Sequence, residues 1–295
     1  MEKWKIFFMA SRPKTWIAIL SPVAMGGIMA FQDGYYHLWT LFAIILGGLL
    51  IQIGTNLIND YSDGISNLDT QERLGPKRAV QSGLVEARTI FQWALICLLI
   101  SLLIGIYLVY RGGWPVALLG ISSLFFALFY SLGSFSLSRT GLGDLVVIFY
   151  FGVFPTAFTF YLVSLQHHPK AYLLGLGPGF LSLALLTANN LRDYNQDKKG
   201  GRKTLVVRFG IFFGKMEYIL SIGISLCILG GYFAFNKSLF GLLIVSILFL
   251  FALSLCYQMI KAKEDHQMVS FLPRTALFLW IYTLGFCLGS FWKVL

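Results

Sequence analysis

Apolar runs of about 17 to 25 residues, the length that carries an α-helix across a bilayer, follow one another along most of this 295-residue chain. Nine are read, at about 15–31, 39–59, 90–110, 114–132, 143–163, 171–192, 215–235, 238–260 and 270–292. Hydrophobic residues make up 57% and charged residues 12%, with a mean hydropathy of +0.73. A soluble domain carries about 25% charged residues. The expectation is therefore an all-α, multi-pass membrane protein: nine transmembrane helices in a single bundle, with 1–295 as one domain. No Pro/Ser-rich linker or soluble domain interrupts the series. A secretory signal is not expected, because the first apolar run is followed by many more.

Charge fixes the expected orientation. With an inner N-terminus, all of the 23 basic residues except Arg111, Lys170, Lys237 and Lys293 fall on the inner side, as the positive-inside rule requires. Membrane-flanking loops and anionic lipid account for the net charge of +10, so no nucleic-acid partner is expected. Cys97, Cys227, Cys256 and Cys287 all lie in apolar runs without paired spacing and read as small core residues.

Against this apolar background two Asp-rich segments stand out. The first, NLINDYSDGISNLD, holds Asn56, Asp60, Asp63 and Asp69; the second, NNLRDYNQD, holds Asn189, Asp193 and Asp197. On a helix the spacings i, i+4, i+7 and i, i+4, i+8 set each Asn and its Asp pair along one face. The chain has 13 acidic residues, and Asp60, Asp63, Asp69, Glu72, Asp193 and Asp197 gather in or beside these two segments. Each segment ends an apolar run and precedes basic residues: Arg73, Lys77 and Arg78 in one, Lys198, Lys199, Arg202 and Lys203 in the other. The order is the same in both, a weak internal repeat. The loops that hold them, about 61–89 and 193–214, are the long polar connections, with a third inner loop at 133–142.

Carboxylates at the end of a membrane helix are costly, and several together repel. A divalent cation removes that penalty, and oxygen ligands without His or Cys select Mg²⁺ or Ca²⁺. Since Mg²⁺ favours a few carboxylates, waters and substrate phosphates, the adjacent Lys and Arg point to a phosphate-bearing ligand. Either segment alone would suit helix caps and interfacial ion pairs equally well; two matched segments point to a shared cation.

NDYSDGISNLD followed by GPKRAVQSG, and later NNLRDYNQDKKGGRKTLVVRFG, resemble the UbiA-type intramembrane prenyltransferases. The resemblance runs from RPKTW near the N-terminus to Gly210. The wide gap from Asp63 to Asp69 and the NN-x-RD form look most like the branch that prenylates 1,4-dihydroxy-2-naphthoate in menaquinone synthesis. The aromatic-acid branch usually has tighter spacing.

The resemblance implies a helical bundle around a lipid-accessible chamber with both Asp motifs at its polar mouth. Asn56, Asp60, Asp63, Asp193 and Asp197 would hold Mg²⁺, as two ions, on a polyprenyl diphosphate, the four Asp being catalytic. Asp69 would lie in the cap loop. Lys77, Arg78, Arg139, Arg192, Lys203 and Tyr130 are the expected grips on the diphosphate, while Arg12, Asn189 and Asp144 are acceptor-side residues. For Arg12 a positive-inside anchor is the competing reading, and for Asp144 a helix N-terminal charge. His167 and His168 read as outer-loop residues, and Pro155 as a kink.

The implied reaction transfers a polyprenyl group to 1,4-dihydroxy-2-naphthoate with loss of CO₂ and diphosphate, giving demethylmenaquinol, at the cytoplasmic face of the cell membrane and in contact with its lipid. Two alternatives stay open: the same fold using 4-hydroxybenzoate, homogentisate, a chlorin-type acceptor or a phytyl donor, and a cation-coupled transporter. The near absence of charge inside the runs weighs against the transporter.

Overall fold

In lipid there is no water to satisfy backbone N–H and C=O groups, so a chain this apolar must satisfy them internally. The structure, a computed structural model, describes residues 2–65, 75, 78–132, 136–263 and 265–291, without side chains at 138, 139 and 265; among the described residues there is no strand. The helices are α1 (Lys3–Ala10), α2 (Ile17–Gln32), α3 (Leu38–Ile65), α4 (Ala87–Gly112), α5 (Trp114–Phe129), α6 (Leu137–Thr140), α7 (Gly143–Ile148) and α8 (Phe154–Ser164). They continue with α9 (Pro169–Arg192), α10 (Tyr194–Lys199), α11 (Leu205–Phe235), α12 (Leu239–Lys261), α13 (Asp265–Met268) and α14 (Phe271–Phe291).

Seven helical segments among the described residues are long and apolar enough to cross a membrane. The expected count of nine is not reached. The runs at 15–31 and 114–132 form α2 and α5, each of 16 residues, which is about 24 Å of helix at 1.5 Å per residue and short of a core about 30 Å thick. Segment Lys3–Thr15 meets α2 at a bend of 56°, and counting that bent pair as one span gives eight.

Two large apolar cores hold the bundle, with a small third cluster at Ile148, Val153 and Leu183. One joins α1, α3, α4 and α5 through Ile6, Leu57, Ile58, Ile90, Ala94 and Ala127. The other joins α2, α8, α9, α11, α12 and α14 through Met25, Phe160, Leu181, Tyr218, Leu229, Phe278 and Tyr282. Each core carries one Asp motif, on α3 and at the end of α9. Helix α9 is central: 72% of its most apolar stretch is buried, against 22% for α4 and α12. Large side chains exposed on the outside, including Trp39, Tyr110 and Trp114 at the ends remote from the motifs, suit lipid and its interface. Cys97 is buried and Cys256 and Cys287 half-buried, but Cys227 is exposed, so it is not the core residue expected; all four are free.

The span Gly143–Ser164 is not straight. A π-helical turn, Phe149–Val153, separates α7 from α8, with Phe151 at φ −116°, ψ 19°. Pro155 lacks the N–H that would bond the carbonyl of Phe151 four residues back, so the expected kink is present and its cause is local. The bent segment lies directly on α9. A Cβ on Gly152 would stand 2.3 Å from the Gly179 Cα and 2.4 Å from the Gly175 carbonyl oxygen. This backbone contact aims α7 toward the motif end of α9. Gly152→Val should lower the thermal midpoint by the equivalent of about 1–3 kcal/mol, because backbone cannot rotate away; Gly231→Ala, with nothing within 4 Å, should leave it unchanged.

Candidate active site

Asn56, Asp60 and Asp63 stand on one continuous helix, and all three are buried, at 5%, 2% and 7% exposure. Each is held differently. Asn56 Nδ2 donates to the Ser11 carbonyl at 2.9 Å and to Thr15 Oγ1 at 3.1 Å, which ties the N-terminal segment to α3. That segment turns at Arg12, whose φ of 51° is left-handed; a non-glycine residue there costs about 1 kcal/mol or more, offset here by the bonds around it. Asp60 accepts the backbone N–H groups of Ala79 and Val80, both at 3.0 Å. Ala79 and Val80 are thereby held against α3. Asp63 pairs with Arg78 and, at 2.6 Å, with Arg202.

The second motif is not one continuous helix, contrary to expectation. Helix α9 ends at Arg192, Asp193 takes φ −92°, ψ 7°, and α10 begins at Tyr194. The four-residue rhythm still survives in backbone bonds, from Asp193 N–H to the Asn189 carbonyl at 3.0 Å and from Asp197 N–H to the Asp193 carbonyl at 2.8 Å. Arg192 clamps Asp193 through Nε and Nη2 at 2.7 and 2.6 Å and also donates to Asn189 Oδ1 at 2.6 Å. Two glycines then reverse the chain. Gly201 adopts φ 71°, freely open to glycine alone, and Arg202 N–H bonds back to the Asp197 carbonyl at 2.9 Å.

That reversal places Arg202 between the motifs: its guanidinium contacts Asp63 at 2.6 Å and Asp197 at 3.3 Å. A residue on the α10–α11 turn thus ties α3 to α10 across the two cores. Sequence reading put Arg202 in the second basic cluster but preferred Lys203, which is exposed and absent from the cavity wall. The Gly200–Gly201 pair just before Arg202 was the available signal.

Both motifs border a cavity of about 890 Å³. Its polar end includes Arg12, Asn56, Asp60, Asp63, Arg78, Tyr130, Asp144, Asn189, Arg192, Asp197 and Arg202; Asp193 is not on the wall, being turned to Arg192. Gln52 and Asn190 also line it, and sequence reading missed both, although Gln52 extends the four-residue spacing of Asn56 and Asp60. On α3 the wall runs from Ile44 to Asp63, about 28 Å of helix. Away from the motifs it is formed by apolar residues such as Ile106, Val116, Phe126 and Phe154. Asp69 and Lys77 lie outside the described residues, as does the side chain of Arg139.

Among the described residues no three His, Cys, Asp or Glu side chains form a metal cage by themselves. The donor set still fits Mg²⁺, which is commonly bound by one or two carboxylates together with waters and substrate phosphates. The Arg202 guanidinium between Asp63 and Asp197 shows where positive charge is stabilised.

Residues 19–284 match the UbiA prenyltransferase family. The chain belongs to that family. The 1,4-dihydroxy-2-naphthoate octaprenyltransferases of Haemophilus influenzae and Escherichia coli are each 34% identical to it, over 77% and 68% of this chain and 77% and 67% of their own. A UbiA homologue from Archaeoglobus fulgidus bound to GPP and Mg²⁺ shares the fold, with a TM-score of 0.66 at 16% identity over 95% of this chain and 99% of that one. UbiA membership sets aside the transporter alternative and matches the resemblance read from the two Asp motifs.

Removing the Arg202 charge leaves Asp63 and Asp197 facing each other without their shared counter-ion. Arg202→Gln should lower the thermal midpoint of the metal-free protein, and millimolar Mg²⁺ should raise the midpoint more in the variant than in the wild type. An equal response in both would show that the guanidinium and the cation do not share a place.

Proposed function

We propose that the protein is an Mg²⁺-dependent transferase that moves a polyprenyl group from its diphosphate to 1,4-dihydroxy-2-naphthoate, with loss of CO₂ and diphosphate, to give demethylmenaquinol. The observation that carries this reading is one cavity with two chemistries: carboxylates and guanidiniums at one end and an apolar wall about 28 Å along α3. A polyprenyl diphosphate has the same division. The acceptor rests on the names of the two relatives above, and no feature of the cavity favours another aromatic acceptor.

Asn56, through Oδ1, and Asp60, Asp63 and Asp197 would hold Mg²⁺ at the mouth. Bound there, Mg²⁺ would neutralise charge that grows on the departing diphosphate. Arg78, Arg202 and Arg192 would turn from carboxylates to phosphate oxygens, for which a guanidinium is equally well matched. Asp193, released by Arg192, would join the motif carboxylates. Tyr130, on the wall, would reach the same group, and Arg12 and Asn189 would face the acceptor. The apolar wall keeps water from the allylic cation, and its aromatic faces stabilise positive charge. With α2 and α5 crossing as well, nine helices put the motifs at the cytoplasmic face of the cell membrane, in keeping with the distribution of Lys and Arg.

The test is the reaction itself. Purified protein given polyprenyl diphosphate, Mg²⁺ and 1,4-dihydroxy-2-naphthoate should form prenylated product with CO₂, and EDTA should abolish both. Product from 4-hydroxybenzoate instead would replace the acceptor while keeping the fold and the metal chemistry. Asp60→Ala and Asp193→Ala should each reduce turnover at least about 100-fold in protein that still elutes as a folded species; near-normal activity in either would remove the metal-site assignment.

A further inference from the structure

Asp144 opens α7 and is 6% exposed; it sits on the cavity wall, and its Oδ2 has no hydrogen-bond partner among the described residues. A buried carboxylate oxygen without a donor is costly. Asp60, Asp63, Asp193 and Asp197 each have N–H or guanidinium partners, and Glu217 accepts the Thr187 hydroxyl at 2.7 Å. Gln52 Oε1 and Thr159 Oγ1 on the same wall also lack partners, but neither is a base.

Position adds to this. The Tyr130 hydroxyl lies against Gly143, 2.9 Å from where a Cβ would stand. Asp144 is therefore next to the polar end of the cavity, beside the residue assigned above to the diphosphate. Its backbone is held there by the contact of Gly152 with α9.

The missing partner must be a donor, since a carboxylate oxygen accepts. A prenyl tail has no donor, and an ionised diphosphate has only acceptors. Of the reactants, the aromatic acceptor alone brings O–H groups. We propose that Asp144 is a catalytic residue that binds a ring hydroxyl of the aromatic acceptor and takes its proton as the ring is prenylated. This rests on the transferase reading above and names the base within it.

The step balances. The C1–O bond of the donor breaks and its electron pair leaves with diphosphate. A ring-carbon π pair forms the new bond to C1, and the O–H pair becomes the second bond of a ring C=O, while the proton passes to Asp144 Oδ2. Before the attack the proton stays on the hydroxyl, because a phenol is ordinarily a much weaker acid than a carboxyl. Once the ring carries positive charge the hydroxyl becomes strongly acidic, and transfer to Asp144 runs downhill. Loss of CO₂ then leaves the electron pair of its C–C bond in the ring, the ring C=O becomes an oxyanion, and Asp144 returns the proton to it, which restores the aromatic ring with its hydroxyl and the carboxylate of Asp144.

The experiment compares wild type, Asp144→Asn and Asp144→Glu in detergent with Mg²⁺. Binding of polyprenyl diphosphate should be equal in all three, which also reports folding. Single-turnover prenylation should fall about 10²- to 10⁴-fold in Asp144→Asn and be partly kept in Asp144→Glu. Affinity for the acceptor and for its O-methylated analogues gives a second readout. Methylation should weaken wild-type binding about tenfold or more, as loss of a charged hydrogen bond does, and should cost Asp144→Asn little. Turnover within threefold of wild type in Asp144→Asn, or an equal methylation penalty in both, overturns the assignment. If neither variant folds, the wild-type methylation series decides, and the absence of a penalty overturns it. No product from the wild type with any hydroxylated aromatic would instead overturn the transferase reading, and this base with it.

Discussion

The bundle depends on how it accommodates acidic side chains at one end of an apolar interior. Asp60, Asp63 and Asp197 are 2%, 7% and 5% exposed, and charges this buried are tolerated only with close partners. The protein supplies those partners from chain segments distant in sequence: Ala79 and Val80 for Asp60, Arg78 and Arg202 for Asp63, Arg202 again for Asp197. Residues Arg78 to Val80 and the turn after α10 are therefore held by the carboxylates. The same contacts join the two apolar cores, which otherwise meet around the cavity.

This arrangement makes charge compensation and binding the same problem. A guanidinium that neutralises Asp63 and Asp197 is also suited to phosphate, and carboxylates that accept guanidinium also accept a hard cation. On the proposed reading, arrival of a metal-bound diphosphate would exchange one set of partners for another of equal charge type.

The cavity has its shape because of backbone features far from the charges. The close approach of Gly152 to Gly175 and Gly179 lets the bent span rest on α9, and the missing N–H of Pro155 frees the turn at Phe151. Together they bring Asp144 to the wall beside Tyr130. Arg111 serves the opposite end, where it donates to the last carbonyls of α8 at 2.6 and 3.2 Å and so fixes α4 against that span, as a cation at a helix C-terminus should.

Helix as the fold class, the membrane, both Asp motifs and the UbiA family were legible in the sequence, because apolar length, four-residue spacing and residue chemistry are local properties. Asn56, Asp60 and Asp63 share a helix face for that reason alone. Three matters were decided by tertiary structure. The runs at 15–31 and 114–132 became helices of 16 residues, since turns and packing, not hydropathy, set where a helix ends. The second motif broke at Asp193, where the side chain is claimed by Arg192. Arg202 rather than Lys203 reached the cavity, because a two-glycine reversal selects which side chain turns inward. Sequence determined which chemistry is present; the meeting of α3 with α10, and of Asp144 with the cavity, depends on contacts between residues far apart in the chain, which no local pattern encodes.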